Sequence, residues 1–256
     1  MRPIAYCGDH VALTYTYHGD KIYVDTRDTS LAPHLLLDGN WEDWVSRCFL
    51  QKLSENQGAT VVDIGANVGW YTLLAAHFGA GMVFAFEPQL ALAALLVKSV
   101  RVNGYGDRVR VLPYACGEAR DILRLSMRPD EIGGARLLGP GTSTPPAEEA
   151  VTTTVPVVRL DHELPTAQAA KLIIKIDVEG HEPKVLLGAQ RTLERRPILF
   201  IEHHRTVDAR DMLSMLKELG YAIRHVRTTG QPSPELEIEQ AMELGDAETL
   251  LCEAVE

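Results

Sequence analysis

Residues Val61–Thr72 read V-V-D-I-G-A-N-V-G-W-Y-T, a β-branched apolar run that reaches Asp63, then Gly65 and Gly69, then a helical pattern. Glycines at a strand-to-helix turn accept left-handed backbone without strain and leave N–H groups bare for a small ligand. About twenty residues on, the next apolar run, M-V-F-A-F, ends in Glu87-Pro88, where an acid can accept both hydroxyls of a ribose. An adenosine-containing ligand follows. A dinucleotide turn of the form G-x-G-x-x-G needs its second glycine so that a pyrophosphate can approach. Asn67 stands in that place, and Asp63 sets a carboxylate before the loop that would repel a diphosphate and attract an ammonium. The chemistry therefore favours S-adenosylmethionine over NAD. A nicotinamide-dependent oxidoreductase is the alternative, and a non-catalytic adenosyl-ligand binding module a third reading.

A second constellation is I-I-K-I-D-V-E-G-H-E-P, Ile173–Pro183, followed by I-L-F-I-E-H-H, Ile198–His204. Both read as buried strands that end in polar groups, and in an open α/β sheet such ends border the ligand crevice. Methyl transfer from a sulfonium needs donor and nucleophile held in line and a proton removed from an alcohol, which carboxylates and imidazoles can do. Asp177 is expected nearest the reacting centre, with His181 or His203 as general base. The rival reading is a divalent cation held by Asp177, Glu179, Glu182 and Glu202. The bland reading has Glu179 and Glu182 cap a helix N-terminus, and His203 or His204 buried for packing. Side chains alternate along a strand, so His203 and His204 cannot both face the cleft if the strand persists.

These groups need a scaffold. From Thr60 onward short apolar runs alternate with helical patterns, the form of βαβ units around a parallel sheet. Strands are expected at Val61–Ile64, Met82–Phe86, Val109–Leu112, Leu172–Ile176, Ile198–Ile201, Tyr221–Val226 and Thr249–Glu253. Helices are expected at Gln89–Val102, closed by Asn103-Gly104, at His181–Arg195 with Pro183 in its first turn, and at Asp208–Leu219 with Asp208 as N-cap. Residues 1–57 read as an N-terminal extension: a hairpin around His18-Gly19-Asp20, then a helix over about Asn40–Leu53 with Trp41, Trp44, Val45, Cys48 and Phe49 as an amphipathic stripe. Residues 58–256 form the main domain, interrupted at about 118–170 by two strand-like runs, Ile122–Met127 and Val151–Arg159. Between these lies a Gly/Pro-rich stretch, Gly133–Pro146, that reads as a mobile binding loop bordering the cleft in preference to a disordered linker.

Composition limits the partners. The chain has 256 residues and a formal net charge of −10, which opposes a large phosphate-backbone footprint, so nucleic acid is not expected as a partner. Four cysteines, Cys7, Cys48, Cys116 and Cys252, are scattered without a C-x-x-C pair, which fits neither a zinc ribbon nor a disulfide framework but a reducing cytoplasm. The uncharged stretch from Ile64 to Phe86 is broken by glycines, Asn67 and His77, so no membrane span is expected.

The motifs V-V-D-I-G-A-N-V-G-W-Y-T, F-A-F-E-P, I-K-I-D-V-E-G-H-E-P-K-V-L-L-G-A and I-L-F-I-E-H, in that order, resemble the FkbM family of S-adenosylmethionine-dependent methyltransferases over roughly Trp41–His204. The resemblance implies an α/β, doubly wound, seven-stranded Rossmann-like sheet with a final antiparallel strand. It also implies O-methylation of a hydroxyl on a small molecule such as a sugar, polyketide or other secondary metabolite. Asp63, Gly65, Ala66, Asn67 and Gly69 would then line the methionine side of the donor and Glu87 the ribose. The P-Y-A-C segment would lie against adenine, with Tyr114 in contact.

Overall fold

A computed structural model describes residues 2–128, 131–138, 150–165 and 171–255. The chain opens with strands β1 (Ala5–Tyr6), β2 (Val11–Tyr15) and β3 (Lys21–Asp25), paired in that order, with the expected hairpin between β2 and β3. Helices α1 (Leu31–Leu37) and α2 (Asp43–Glu55) follow. Of the stripe expected on α2, Val45, Cys48 and Phe49 are buried, Trp41 is half-buried and Trp44 is exposed. The small sheet is fastened to Ser99 and Asn103 by polar pairs: Asn103 accepts from the Lys21 N–H and donates to its carbonyl, and Ser99 Oγ accepts from the Tyr23 N–H.

The main domain continues with β4 (Thr60–Ile64), α3 (Trp70–His77), β5 (Met82–Phe86), α4 (Leu90–Val102), β6 (Val109–Leu112), β7 (Ala115–Cys116), β8 (Asp121–Arg128), β9 (Glu131–Leu138), β10 (Val151–Val158), α5 (Leu160–Glu163), β11 (Leu172–Ile176), α6 (Glu182–Leu187), α7 (Gln190–Leu193), β12 (Ile198–His203), α8 (Ala209–Glu218), β13 (Tyr221–His225), α9 (Ile238–Met242) and β14 (Glu248–Ala254). It is an α/β fold around a mixed seven-stranded sheet of order β6-β5-β4-β11-β12-β14-β13, in which β14 runs antiparallel to both neighbours. The strands expected from the apolar runs are the strands of this sheet. Their side chains alternate between faces as the pleat requires: Val61, Ile173 and Phe200 pack under α2, α3 and α4, while Val62, Ile174 and Ile201 pack against α6, α7 and α8. Burial on both faces explains why these strands read as continuous apolar runs.

Two expectations need correction, and a third holds in position only. The segment over His181–Arg195 is two helices, because a Cβ at Gly188 would stand 2.0 Å from the Gly117 carbonyl oxygen. There the chain turns, and Asp161 restarts it by accepting from the N–H groups of Arg191 and Thr192. Asp208 is the N-cap residue of α8 but makes no side-chain cap bond. The Gly/Pro-rich stretch begins as strand: β7, β10, β8 and β9 form a separate four-stranded sheet whose edge strand β9 holds Gly133–Leu138. Residues 139–146 lie outside the described residues. Among the described residues no helix is long and apolar enough to cross a membrane.

Candidate active site

The carboxyl ends of β4, β5 and β11 open into one cleft of about 1270 Å³, counted with its open mouth, lined by the loop after β4, by Glu87 and Tyr114, and by Asp177, Glu179 and Glu202. Its walls also come from outside the main sheet. Trp41 and Glu42 reach in from the start of α2, and Gly133, Gly134 and Ala135 of β9 lie across the loop. The Gln89 amide donates to the Ile132 carbonyl at 3.0 Å and holds β9 there. A Cβ at Gly133 would sit 3.0 Å from Asn67 Nδ2, so the glycine allows this close cover.

The glycine loop differs from the cradle expected of it. Gly65 and Ala66 both donate their N–H to the Phe86 carbonyl at 3.0 Å, and Gly69 donates to Ala66. Asn67, itself at φ 52, donates its N–H to Glu87 Oε2, and Val68 donates to Asn67 Oδ1. These donors are spent inside the protein, so the turn offers a diphosphate nothing. Gly65 is demanded by the fold as well as by its φ of +83, since a Cβ would meet the Asp177 carbonyl oxygen at 1.8 Å. What remains for a ligand is acid. Glu87 accepts from the Asn67 and Gln89 N–H groups, each at 2.8 Å, yet each carboxylate oxygen keeps a lone pair for a diol. Burial pushes Glu87 up to about 7, against those two hydrogen bonds. Asp63 is buried too, accepts from the Thr72 hydroxyl at 2.6 Å, and is pushed by burial up to about 6. Two buried acids at the cleft fit the ribose diol and ammonium of S-adenosylmethionine.

Next to them lies a network that begins with Lys175. This lysine is 1% exposed, sits beside Asp63 in the β4–β11 register, stands 5.2 Å from the Tyr71 ring and pairs with Asp177 Oδ2 at 3.0 Å. Burial works against its charge, but Asp177, Glu42 and Glu202 outweigh burial and hold the ammonium above its ordinary range. Burial likewise pushes Asp177 up, and Lys175 together with a hydrogen bond from Glu202 holds it below the carboxylate range. Glu202 goes the other way, raised by burial and by the Asp177 charge. Lys175 was missed at the sequence level, although one lysine inside I-I-K-I is a signal: a charge in a buried strand must face a partner.

The structure brings Asp63, Gly65, Ala66, Asn67, Glu87, Tyr114, Asp177, Glu179 and Glu202 to the cleft; Gly69, the N-cap of α3, packs against Leu96 instead. It does not bring His181 or His203 there. The strand β12 persists to His203, so Glu202 faces the cleft and His203 turns into the opposite side, fully buried with both ring nitrogens unpartnered. His181 caps α6 beside Gly117, where burial lowers its pKa. Neither is placed to act as base. Glu182 is also structural: its Oε1 accepts from the Val178 and Gly180 N–H groups, each at 3.1 Å.

Among the described residues two triads bring their oxygen and nitrogen atoms within 4.8 Å, Asp177–Glu179–Glu202 and Glu182–Glu202–His204. The donor set does not fit a cation well. Lys175 already neutralises Asp177, Glu202 is on the protonated side, and His204 lies 3.3–3.6 Å from Glu182, Glu202 and Glu179 as their counter-charge. A cation would have to displace two resident positive groups.

A family model described as the methyltransferase FkbM domain matches residues 63–223. The chain is 27% identical over 179 residues to hexuronic acid methyltransferase AglP of Haloferax volcanii, covering 69% of this chain and 68% of the relative. Among solved structures, the FkbM methyltransferase of Methylobacillus flagellatus KT aligns with a TM-score of 0.49 and 16% identity, over 79% of this chain and 50% of that one, so this chain spans half its length. An S-adenosylmethionine-dependent O-methyltransferase of Thermotoga maritima aligns with a TM-score of 0.46 and 14% identity, over 95% of this chain and 77% of that one. Both scores are below 0.5, so the family rests on the sequence match, which sets aside the nicotinamide and non-catalytic readings. With more than half of its residues inside the matched region, the chain belongs to the FkbM family of S-adenosylmethionine-dependent methyltransferases.

Proposed function

We propose that the chain methylates a hydroxyl oxygen of a small, sugar-like acceptor. The observation that carries this is the division of one cleft into two chemistries. Asp63, Glu87 and Tyr114 make a donor half; Trp41, Glu42, Tyr71, Lys175, Asp177 and Glu179 make a half rich in hydrogen-bond acceptors beside an indole, the combination that grips a polyol. The relative that acts, by its name, on a hexuronic acid supports a sugar acceptor.

S-adenosylmethionine supplies an electrophilic methyl group on a cationic sulfur. Glu87 would hold a ribose diol through its free lone pairs, and Asp63 would attract the ammonium. Asp177, kept ionised by Lys175, sets negative charge where a sulfonium needs it. Tyr114 bounds the adenine side. In this reading residues 1–57 are an extension that closes a transferase domain of residues 58–256, and the sheet of β7–β10 roofs the cleft. The net charge of −10 supports a small acceptor rather than nucleic acid. The free cysteines Cys48, Cys116 and Cys252, all buried, accord with a reducing cytoplasm.

Calorimetric titration with S-adenosylhomocysteine, with NAD for comparison and Glu87→Ala as control, tests the donor half. Losing a buried charged acceptor of two hydroxyls should weaken binding about 100-fold. Unchanged affinity in the variant, or a preference for NAD, would sink the ribose assignment. Transfer of labelled methyl to neutral methyl hexosides tests the acceptor half.

A further inference from the structure

Besides Asp63 and Glu87, four acids line the cleft, and three of them are already engaged. Asp177 is paired with Lys175 at 3.0 Å and accepts a hydrogen bond from Glu202. Glu202 is therefore the donor of that pair. Glu179 is held by His204 and Arg136, each at 3.6 Å. Glu42 remains. Its Oε2 accepts from the Tyr71 hydroxyl at 2.7 Å, and among the described residues no hydrogen bond reaches its Oε1.

Glu42 also occupies costly backbone. Its φ of 43 and ψ of 56 put a glutamate in the left-handed region, at the N-cap of α2, where it makes no side-chain cap bond. A glycine or asparagine would serve the turn with less strain, and strain retained at a cleft-facing residue points to a role for that side chain. The family match begins at residue 63, so Glu42 belongs to the part of the chain that the match leaves unassigned.

We propose that Glu42 is the general base for methyl transfer, its Oε1 receiving the proton of the acceptor hydroxyl. This rests on the hydroxyl-acceptor reading above. The hydroxyl oxygen forms the new O–C bond as the C–S bond breaks and its electron pair stays on sulfur. The hydroxyl proton passes to the Glu42 carboxylate and then to solvent, leaving a methyl ether and S-adenosylhomocysteine. Tyr71 fixes the carboxylate by its hydrogen bond, and burial raises Glu42 above the ordinary glutamate value against the nearby Lys175 charge, which makes it a stronger base than Asp177.

The test is Glu42→Gln, which keeps an oxygen for Tyr71 but cannot take a proton. Methyl transfer from labelled donor to a mixture of neutral methyl hexosides is followed alongside S-adenosylhomocysteine affinity and thermal midpoint. The expected result is transfer reduced at least about 100-fold, with affinity unchanged and the midpoint not lowered. Transfer within a few-fold of the unmodified protein would overturn the assignment. So would a fall in donor affinity matching the fall in rate, or a midpoint lowered by many degrees, since either would make Glu42 a donor-site or structural residue. If the unmodified protein binds S-adenosylhomocysteine but labels no hexoside, the hydroxyl-acceptor reading fails first, and the role of Glu42 falls with it.

Discussion

Asp63→Asn should make the unliganded protein more stable while it weakens donor binding. Burial lifts the Asp63 carboxyl from an ordinary 3.8 to about 6, so the folded state binds that proton more tightly than the unfolded chain does. Between those values, rising pH draws protons from the unfolded state first. Folding stability therefore falls as pH climbs from about 4 to about 6, and the full deficit is present above 6. A difference of this size corresponds to about 3 kcal/mol. Asparagine is neutral at every pH and its oxygen can still accept from Thr72, so it should recover up to about that amount at pH 8. For a chain of this length that is roughly 6–10 °C in thermal midpoint. The assay is a pair of melts, at pH 8 and at pH 4, on the variant and the unmodified protein, with a parallel titration of S-adenosylhomocysteine. The gain should appear at pH 8 and shrink toward zero at pH 4. A gain of equal size at both pH values, or no gain at pH 8, would refute the claim that Asp63 is a buried charge retained for its ligand.

Donor affinity should itself depend on pH through Glu87. A ribose diol prefers the ionised carboxylate, so binding holds above about 7 and should weaken about tenfold per unit below it, to roughly 100-fold at pH 5; a flat profile of S-adenosylhomocysteine affinity counts against that contact. Lys175→Met should lower stability by about 3 kcal/mol, because it strips the counter-charge from Asp177 and Glu42 inside the fold, and denaturant unfolding would reveal a smaller loss if the pair were superficial. Gly65→Ala should fail to give a native melt, since the added methyl falls 1.8 Å from the Asp177 carbonyl; a native melt would mean that β4 and β11 can separate at no cost.

The central sheet was legible because its strands are buried on both faces and reveal themselves as unbroken apolar runs. In the sheet of β7–β10, Ile122–Met127 and Val151–Arg159 were legible as strand-like runs and are β8 and β10, whereas β9 was not legible. Gly133–Leu138, read as loop from its glycines, pairs with β8 at the sheet edge; backbone pairing, which leaves no composition signature, makes it strand. In the cleft, acids at strand ends were readable from their spacing. Glu42 and Tyr71 were not, since their meeting depends on how α2 lies on α3. Strand parity, by contrast, could have chosen between Glu202 and His203 once the end of β12 was known. The left-handed turn at Glu42 is likewise invisible in a sequence that offers no glycine there.

The inward turning of the loop N–H groups leaves the donor end of the cleft to the carboxylates of Asp63 and Glu87. Phe86, Ala66, Asn67 and Glu87 take up the loop's hydrogens, so no N–H of residues 65–69 is left to welcome an anion. These carboxylates attract a sulfonium more than the uncharged thioether that remains once the methyl has left. Fresh donor is thereby preferred to spent donor without any difference in shape between their pockets. Loss of one positive charge on methyl transfer should therefore loosen the product against these acids.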